Sequence, residues 1–297
     1  MRHRIVLERF LRGFWLLCLV MTLGSRCGAQ DRPYFITYWQ DLEEPGEAEI
    51  ELKSAISGPD AGNGFGAGAL EMEYGVRAWW TAELYLDGQS TAQDSTLFTG
   101  FRTESRFRPI MRELPVNPLL YVEYENISSA DKTILEVVGH DGQTDMASAN
   151  WRARRQHQHE GELKLILSSN VGQWNLAGNF IAEKNLAHAP WEFGYAVAVS
   201  RPLRRLSDRP CTFCAEKFVL GAELYGGLGT TWALTMRDTS HYLAPLVGWQ
   251  LPRGLRLNLS PGWGLTSASL DRVYRVGVAV DCDDMAGWFR NSPGRSE

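Results

Sequence analysis

The sequence predicts an all-β protein, an antiparallel transmembrane β-barrel of about 12 strands that follows a signal peptide. Three observations predict this fold. Segments of about ten residues in which apolar and polar side chains alternate recur from Glu47 to Asp281. Alternation is the strand signature, because successive side chains point to opposite faces. The links between these segments are alternately short and long, and the N-terminus has the features of an export signal.

Residues 1–29 have the composition of a secretory signal peptide. Arginines precede the apolar run 14–23, which is too short to span a bilayer as a helix. Cys27 and Ala29 provide small residues for cleavage before Gln30. A lipoprotein signal at Cys27 is the alternative, although an arginine directly before it fits such processing poorly. Cleavage removes five arginines and a single glutamate, so the mature chain is acidic and nucleic acid is not an expected partner.

The rest of the chain divides into three parts. Residues 30–46 are aromatic and acidic, and we expect a periplasmic lead-in there, followed by a barrel of residues 47–282 and a polar tail of residues 283–297. After the signal, no apolar run approaches the roughly 20 residues of a membrane helix. An exported chain with alternating strands therefore belongs in the outer membrane of a Gram-negative-type bacterium. A soluble β-sandwich is the alternative.

Twelve segments fit strands, an even number as expected for a single-chain bacterial barrel. They are residues 47–57, 65–76, 79–86, 97–107, 118–127, 160–169, 174–183, 193–200, 218–225, 242–249, 255–264 and 272–280. In the clearest, 160–169, three leucines face one way while Glu162 and Lys164 face the other. Short links such as 170–173 predict the periplasmic end, and the long link 128–159 predicts the external end.

Aromatic residues near the segment ends predict two membrane-boundary girdles. Those beside short turns are Tyr74, Trp80, Trp174 and Trp249, and those toward long loops are Trp191, Tyr225, Tyr242 and Tyr274. The girdles agree with the orientation that the link lengths predict.

Several strand segments resemble the outer-membrane β-barrel transporters of the "MetA-pathway of phenol degradation" type. The similar segments are residues 70–76, 161–168, 174–180, 241–247, 255–259 and 264–266. This resemblance implies a barrel with a transport role, and it supplies no catalytic residue. The chain departs from the usual barrel pattern where its last strand ends on Asp281 and Cys282 instead of an aromatic residue.

The polar face of the strands predicts the candidate binding residues, because in a barrel this face lines the lumen. They are Glu71, Glu73, Glu83, Arg102, Glu104, Arg106, Glu123, Glu125, Glu162, Lys164, Glu183 and Glu223. Rows of mixed charge would make a narrow channel or transporter that selects small solutes without a cofactor. Equally, the same side chains could pair across strands and plug a non-conducting structural or surface-binding barrel.

Cys211 and Cys214 are candidates for a disulfide, because exported proteins fold in an oxidising compartment. No histidine follows Cys214, as c-type haem attachment would require, and no second CxxC completes a zinc site. Unpaired thiols and a metal or redox role are the alternatives. Cys282 is the odd cysteine of the mature chain.

The long link 128–159 contains histidines and an arginine cluster. His157 and His159 share a face of an extended segment and could bind a metal with His140 and Asp141, but we favour ordinary polar loop residues and predict no metal site. The arginines within 152–155 could contact lipopolysaccharide phosphates, in addition to the membrane lipid around the barrel, or simply be solvated. A short strand is also possible at 133–138.

The sequence does not predict an enzyme. Ser240 and His241 are adjacent, but neighbours in a strand point to opposite faces and cannot form a catalytic dyad. The chain also has no GxSxG and no HExxH pattern. An outer-membrane hydrolase remains the third hypothesis, after the channel and the plugged barrel.

Overall fold

The computed structural model describes residues 33–135, 138, 142–187, 190–204 and 211–282. The predicted signal peptide and polar tail lie outside these residues, as do His140 and Asp141. Within the described residues the chain forms a closed barrel of 12 antiparallel strands, which confirms the predicted fold class. In the same part of the chain, no helix is both long enough and apolar enough to cross a bilayer.

Each strand pairs with the next along the chain, and the last pairs with the first. The strands are β1 (Ala48–Ser57), β2 (Phe65–Arg77), β3 (Trp80–Thr91), β4 (Thr96–Phe107), β5 (Asn117–Ser128), β6 (His157–Val171), β7 (Trp174–Asn185), β8 (Glu192–Pro202), β9 (Phe218–Thr230), β10 (His241–Gln250), β11 (Leu255–Gly264) and β12 (Arg272–Cys282). The helices are α1 (Thr144–Ala147) and α2 (Asn150–Ala153), with single 3₁₀ turns at Ala215–Lys217 and Pro252–Gly254. All twelve predicted segments match one strand each, although β3 continues well beyond its predicted end at Leu86.

The wall has an apolar outside and a polar inside, as the alternation predicts. In β6, Leu163, Leu165 and Leu167 are 42–46% exposed on the outer surface. Glu162 and Lys164, which alternate with these leucines, are only 2% and 8% exposed because they point inward. An apolar outer belt is the surface that a barrel presents to lipid.

The two ends of the barrel differ, and we name them by their connections. At the turn mouth, two-residue links join β2 to β3 and β6 to β7, and β1 begins where β12 ends. The longer link 203–217, which contains the cysteine pair, is also at this end. At the loop mouth, the long link 129–156 joins β5 to β6.

Residues 34–42 of the predicted lead-in lie inside the barrel. Tyr34, Phe35, Ile36 and Thr37 are 2–5% exposed and lie inside the lumen. We call residues 34–42 the inner plug. A barrel of 12 strands encloses more space than its own side chains fill, and burying aromatic and aliphatic side chains there removes them from water.

The inner plug enters and leaves through the turn mouth. The Tyr34 hydroxyl bonds Asn175 and Ser200, which lie at the turn-mouth ends of β7 and β8. The chain then returns and turns into β1 at Gly46, whose φ of +95° favours glycine. Glu44 passes so close to Gly75 of β2 that a Cβ there would lie 2.6 Å from the Glu44 carbonyl carbon.

The long link 129–156 folds into the barrel from the opposite end. We call its described residues the outer plug. Ile134, Val138 and Met146 are buried in one apolar cluster with Phe35 and Ile36 of the inner plug. Residues 133–135 form no strand, so the short strand predicted at 133–138 is absent from that described part.

The predicted girdles are partly wrong. Tyr74, Trp174 and Tyr274 are exposed on the outer surface as expected. Tyr225 and Tyr242 instead point into the lumen, where they are at most 4% exposed and their rings stack 5.5 Å apart. They point inward because residues two apart on a strand face the same side, and Glu223 and Ala244 are buried on that side.

Candidate functional site in the lumen

All twelve candidate binding residues point into the barrel. Glu71, Glu73, Glu83, Arg102, Glu104, Arg106, Glu123, Glu125, Glu162, Lys164, Glu183 and Glu223 are each at most 8% exposed. The structure brings those of β2 to β6 together on one half of the lumen wall, whereas Glu183 and Glu223 lie on the other half.

The charged half of the wall is centred on Arg106. Its guanidinium pairs with Glu73 of β2 and Glu83 of β3, and its Nε lies 3.1 Å from Glu104 of its own strand. Arg106 is fully buried, and the three carboxylates are each at most 5% exposed. A buried cation surrounded by carboxylates holds adjacent strands together, since none of the charges has water as an alternative partner.

Further ion pairs extend this network around the wall. Arg102 donates two 3.0 Å hydrogen bonds to Asp87 and lies 3.8 Å from Glu123. Lys53 of β1 pairs with Glu71, and Lys164 with Glu162. The half of the wall from β1 to β6 therefore carries a series of buried charge pairs.

Several buried charged residues of the lumen wall are absent from the sequence-based candidates. They are Glu49, Glu51, Lys53, Asp87, Arg256 and Arg275. The first three lie on the polar face predicted for β1, so alternation was a sufficient signal for them. Asp87 was missed because the predicted β3 ended one residue before it.

Three carboxylates of the network are close enough to share a cation. One oxygen from each of Glu71, Glu73 and Glu83 lies within 4.8 Å of the others. Arg106 already contacts Glu73 and Glu83, and Lys53 contacts Glu71, so protein side chains supply positive charge at this point.

The opposite half of the wall has small inward-facing residues. Ala177, Ala196, Ala198 and Ala244 are buried on β7, β8 and β10. Tyr34 packs into the space beside Ala177, Ala198 and Leu246, with Trp39 against the same cluster. The inner plug thus occupies volume that short side chains leave open.

Glu223 holds the deepest part of the inner plug by its main chain. The backbone N–H groups of Phe35, Ile36 and Thr37 donate to the Glu223 carboxylate at 3.1, 3.0 and 2.7 Å. Hydrogen bonds to an ionised acceptor are stronger than those between neutral groups. Glu223 was a candidate from sequence, but its partner is the chain's own plug.

Tyr38 spans the lumen from one half of the wall to the other. Its backbone N–H donates to Asn179 Oδ1 at 2.7 Å, and Asn179 Nδ2 donates to its carbonyl at 2.8 Å. On the opposite side, its hydroxyl donates to Glu104 at 2.8 Å and lies 3.0 Å from the Tyr85 hydroxyl. One plug residue therefore bridges β7 with β3 and β4.

The outer plug is fastened near the loop mouth by Asn150, which is fully buried. Its Oδ1 accepts from Gln89 at 2.9 Å and from Lys132 at 3.2 Å, and its backbone N–H donates to Asp94 at 2.7 Å. Burial lowers the pKa of Lys132, while Asp94 and Asp131 act in the opposite direction. Asn150 was not predicted, because a single asparagine in a long link has no periodic signal.

A small cavity remains where the two plugs meet the charged wall. Its volume is about 10 Å³, room for roughly one water molecule. Phe35 and Ile36 of the inner plug and Leu135 of the outer plug line it together with Arg102 and Lys164. In this conformation the centre of the lumen is filled.

The remaining candidates lie outside the lumen or face away from one another. His157 and His159 are exposed, and His159 bonds the Tyr124 hydroxyl at 2.9 Å. Ser240 donates to the Ala268 carbonyl while His241, on the other face, contacts Tyr195. These contacts agree with the expectation that Ser240 and His241 do not form a dyad.

Cys211 and Cys214 form a disulfide in the link between β8 and β9. The backbone carbonyl of Thr212, between them, accepts a 2.8 Å hydrogen bond from the indole N–H of Trp249. Phe213 packs its ring 4.9 Å from the same indole. The pair therefore belongs to a small folded cap on the outer rim of the turn mouth.

Comparison with known proteins identifies the fold. No known protein family and no curated protein matches this chain. The KdgM porin matches with a TM-score of 0.50 at 10% identity, over 78% of this chain and 98% of that chain. This chain has the barrel fold of the KdgM porin.

Other solved barrels match less well. The COG4313 outer membrane channel from Pseudomonas putida F1 matches with a TM-score of 0.46 at 10% identity, over 82% of this chain and 97% of that chain. The NanC porin matches with a TM-score of 0.44 at 9% identity, over 78% of this chain and 98% of that chain. The resemblance to the phenol-degradation barrels stays a prediction, because no family matches.

Proposed function

We propose that this protein is an outer-membrane channel for a small solute, and that the inner and outer plugs are its two gates. The structure then represents the closed state. The turn mouth faces the periplasm and the loop mouth faces the cell exterior, which is the usual orientation of bacterial barrels.

The observation that supports a channel most directly is the presence of a polypeptide inside the bore. The inner plug runs between the charged half of the wall and the alanine-lined half, and Tyr38 contacts both. Wall side chains alone therefore do not fill this barrel. If the plug moves away, it leaves an opening of roughly the width of an extended chain, lined by charge pairs.

A permanently closed structural barrel is the second candidate. The ion-pair network and the filled centre favour it, because both stabilise the plugged state. The two candidates differ in one property. A gated channel conducts when its plugs are loosened, whereas a structural barrel loses stability without conducting.

The lipid partners follow from the outer surface. The exposed apolar side chains of the wall would face the membrane core. At the loop mouth, Arg152, Arg154 and Arg155 are exposed beside Trp151. The guanidinium of Arg152 lies 5.5 Å from the centre of the Trp151 ring, and that of Arg155 lies 5.7 Å from it. This cluster would contact lipopolysaccharide phosphates at the cell surface. We propose no enzymatic activity.

Replacing Glu223 with alanine is expected to raise the open probability about a hundredfold in planar bilayers. The substitution removes the acceptor of three buried N–H groups of the inner plug. A loss of about 3 kcal/mol of plug binding corresponds to that factor. The measurement is single-channel recording of refolded full-length protein.

Glu223→Gln is the matched variant, because it keeps one carbonyl oxygen that can still accept from Ile36 and Thr37. We expect its open probability to lie between those of the wild type and Glu223→Ala. If both variants fold and insert but remain as silent as the wild type, the inner plug is not a gate.

A further inference from the structure

Many of the hydrogen bonds that hold the inner plug are made by its main chain. Glu223 accepts from three successive main-chain N–H groups, and Asn179 bonds both the N–H and the carbonyl of Tyr38. Toward the turn mouth, Arg108 donates to the Gln40 carbonyl at 2.7 Å and Arg106 to that of Asp41 at 3.2 Å.

We propose that the lumen wall is a binding site for the main chain of peptides that bend as Phe35 and Ile36 do, and that short peptides are the class of solute the channel carries. The inner plug is then the chain's own ligand, bound in the closed state. This inference rests on the proposed channel, because it names what passes when the plug has left.

The side chains of the wall provide hydrogen-bond partners for the main chain of a peptide in the lumen. A buried main chain must find partners for its N–H and carbonyl groups. Inside a folded domain those partners are mostly other main-chain groups, whereas here wall side chains from β4, β7 and β9 provide them. Asn179 pairs with Tyr38 as a neighbouring strand would, which is how peptides bind to sheet edges.

The spaces beside this main-chain site indicate the preferred side chains. Tyr34 fits against Ala177, Ala198 and Leu246. Four residues on, the Tyr38 ring packs 5.1 Å from that of Tyr121. We therefore expect peptides with aromatic residues to bind better than those with charged ones.

The charge of the wall suits a peptide as well. Buried carboxylates outnumber buried lysines and arginines on the inward faces of the described strands. A free peptide brings an N-terminal ammonium group that such a lumen attracts. A carbohydrate or a hydrocarbon would provide neither the ammonium nor the row of N–H donors that Glu223 accepts.

The test uses the full-length chain with its plug weakened by Phe35→Ala and Ile36→Ala, so that the wall is unchanged. A synthetic peptide with the sequence of residues 33–43 is added at the turn-mouth side of a bilayer. We expect it to block the current. N-methylation of its Ile36 and Thr37 amides should raise the blocking concentration at least about thirtyfold, because two of the three N–H donors to Glu223 are lost.

The matched control is the same peptide N-methylated at the Trp39 amide, for which the described residues provide no acceptor. Its blocking concentration should change less than about threefold. In a Glu223→Ala version of the weakened protein, the parent peptide and the peptide methylated at Ile36 and Thr37 should block equally. This equality would show that the methylation acts through Glu223, as a double-mutant cycle requires.

The outcomes separate the two proposals. If the weakened protein conducts but the two methylated peptides block alike, or if none blocks, the peptide site is wrong and the channel stands. If the weakened, folded protein never conducts even when Asn150→Leu also loosens the outer plug, the channel is wrong. Binding of a fluorescent peptide to the protein in detergent micelles then decides whether the peptide site exists without transport.

Discussion

Replacing Arg106 with methionine is expected to lower the free energy of unfolding by about 3–5 kcal/mol. Methionine retains much of the side-chain volume but leaves Glu73, Glu83 and Glu104 facing one another without the cation that pairs with them. It also removes the donor to the Asp41 carbonyl of the inner plug. The measurement is equilibrium unfolding in urea of the protein folded into lipid vesicles.

A compensated variant separates the effect of charge from that of packing. Arg106→Met combined with Glu73→Gln and Glu83→Gln should recover most of the lost stability, because neutral groups replace the uncompensated carboxylates. An unchanged unfolding midpoint for Arg106→Met alone would contradict the central place of this ion-pair cluster.

Replacing Asn150 with leucine is expected to release the outer plug. The substitution leaves Gln89 and the Lys132 ammonium without their shared acceptor in a buried place. If the outer plug is held less tightly by about 3 kcal/mol, protease should cleave the link 129–156 about a hundred times faster. Chymotrypsin digestion at Trp151, followed on refolded protein, measures this rate. Arg154→Leu changes an exposed residue of the same link and should leave the rate unaltered.

The combination of Asn150→Leu with Glu223→Ala tests whether the plugs are gates in series. If both must leave before solute passes, and if they leave independently, their effects on open probability multiply. The double variant should then open about as often as the product of the two single increases predicts. A double variant no more active than the better single one would mean that only one segment closes the path.

The wall was predictable from sequence because lipid and water impose a pattern on each strand separately. In β6, three outward leucines alternate with Glu162 and Lys164, and no knowledge of a distant partner is needed to assign the two faces. The same pattern placed all twelve candidate residues inside. Glu49 and Glu51 of β1 follow the same alternation.

The contents of the lumen were not predictable in this way. Period-two alternation tells which side chains point inward, but not what lies opposite them across a barrel of 12 strands. The sequence therefore predicted only a periplasmic lead-in over residues 30–46, although the aromatic side chains within it favour burial. A signal did exist in the wall, since inward-facing Ala177, Ala196, Ala198 and Ala244 leave space that another segment must fill.

A reversible lock on the inner plug tests the central claim, that a movable segment closes a channel. A Cβ at Gly248 would lie 3.7 Å from the Cβ of Pro33, within the range of about 3.5–4.5 Å for disulfide-bonded cysteines. A disulfide between Pro33→Cys and Gly248→Cys would fasten the plug at its entrance. The background for this pair is the protein with Cys282→Ser, Glu223→Ala and Asn150→Leu.

The measurement is bilayer current before and after reduction of this disulfide. Reduction should raise the current at least about tenfold, and oxidation should abolish it again, while single-cysteine controls respond to neither. An equal current through the oxidised and the reduced protein would contradict the account, because the path would then not depend on the inner plug.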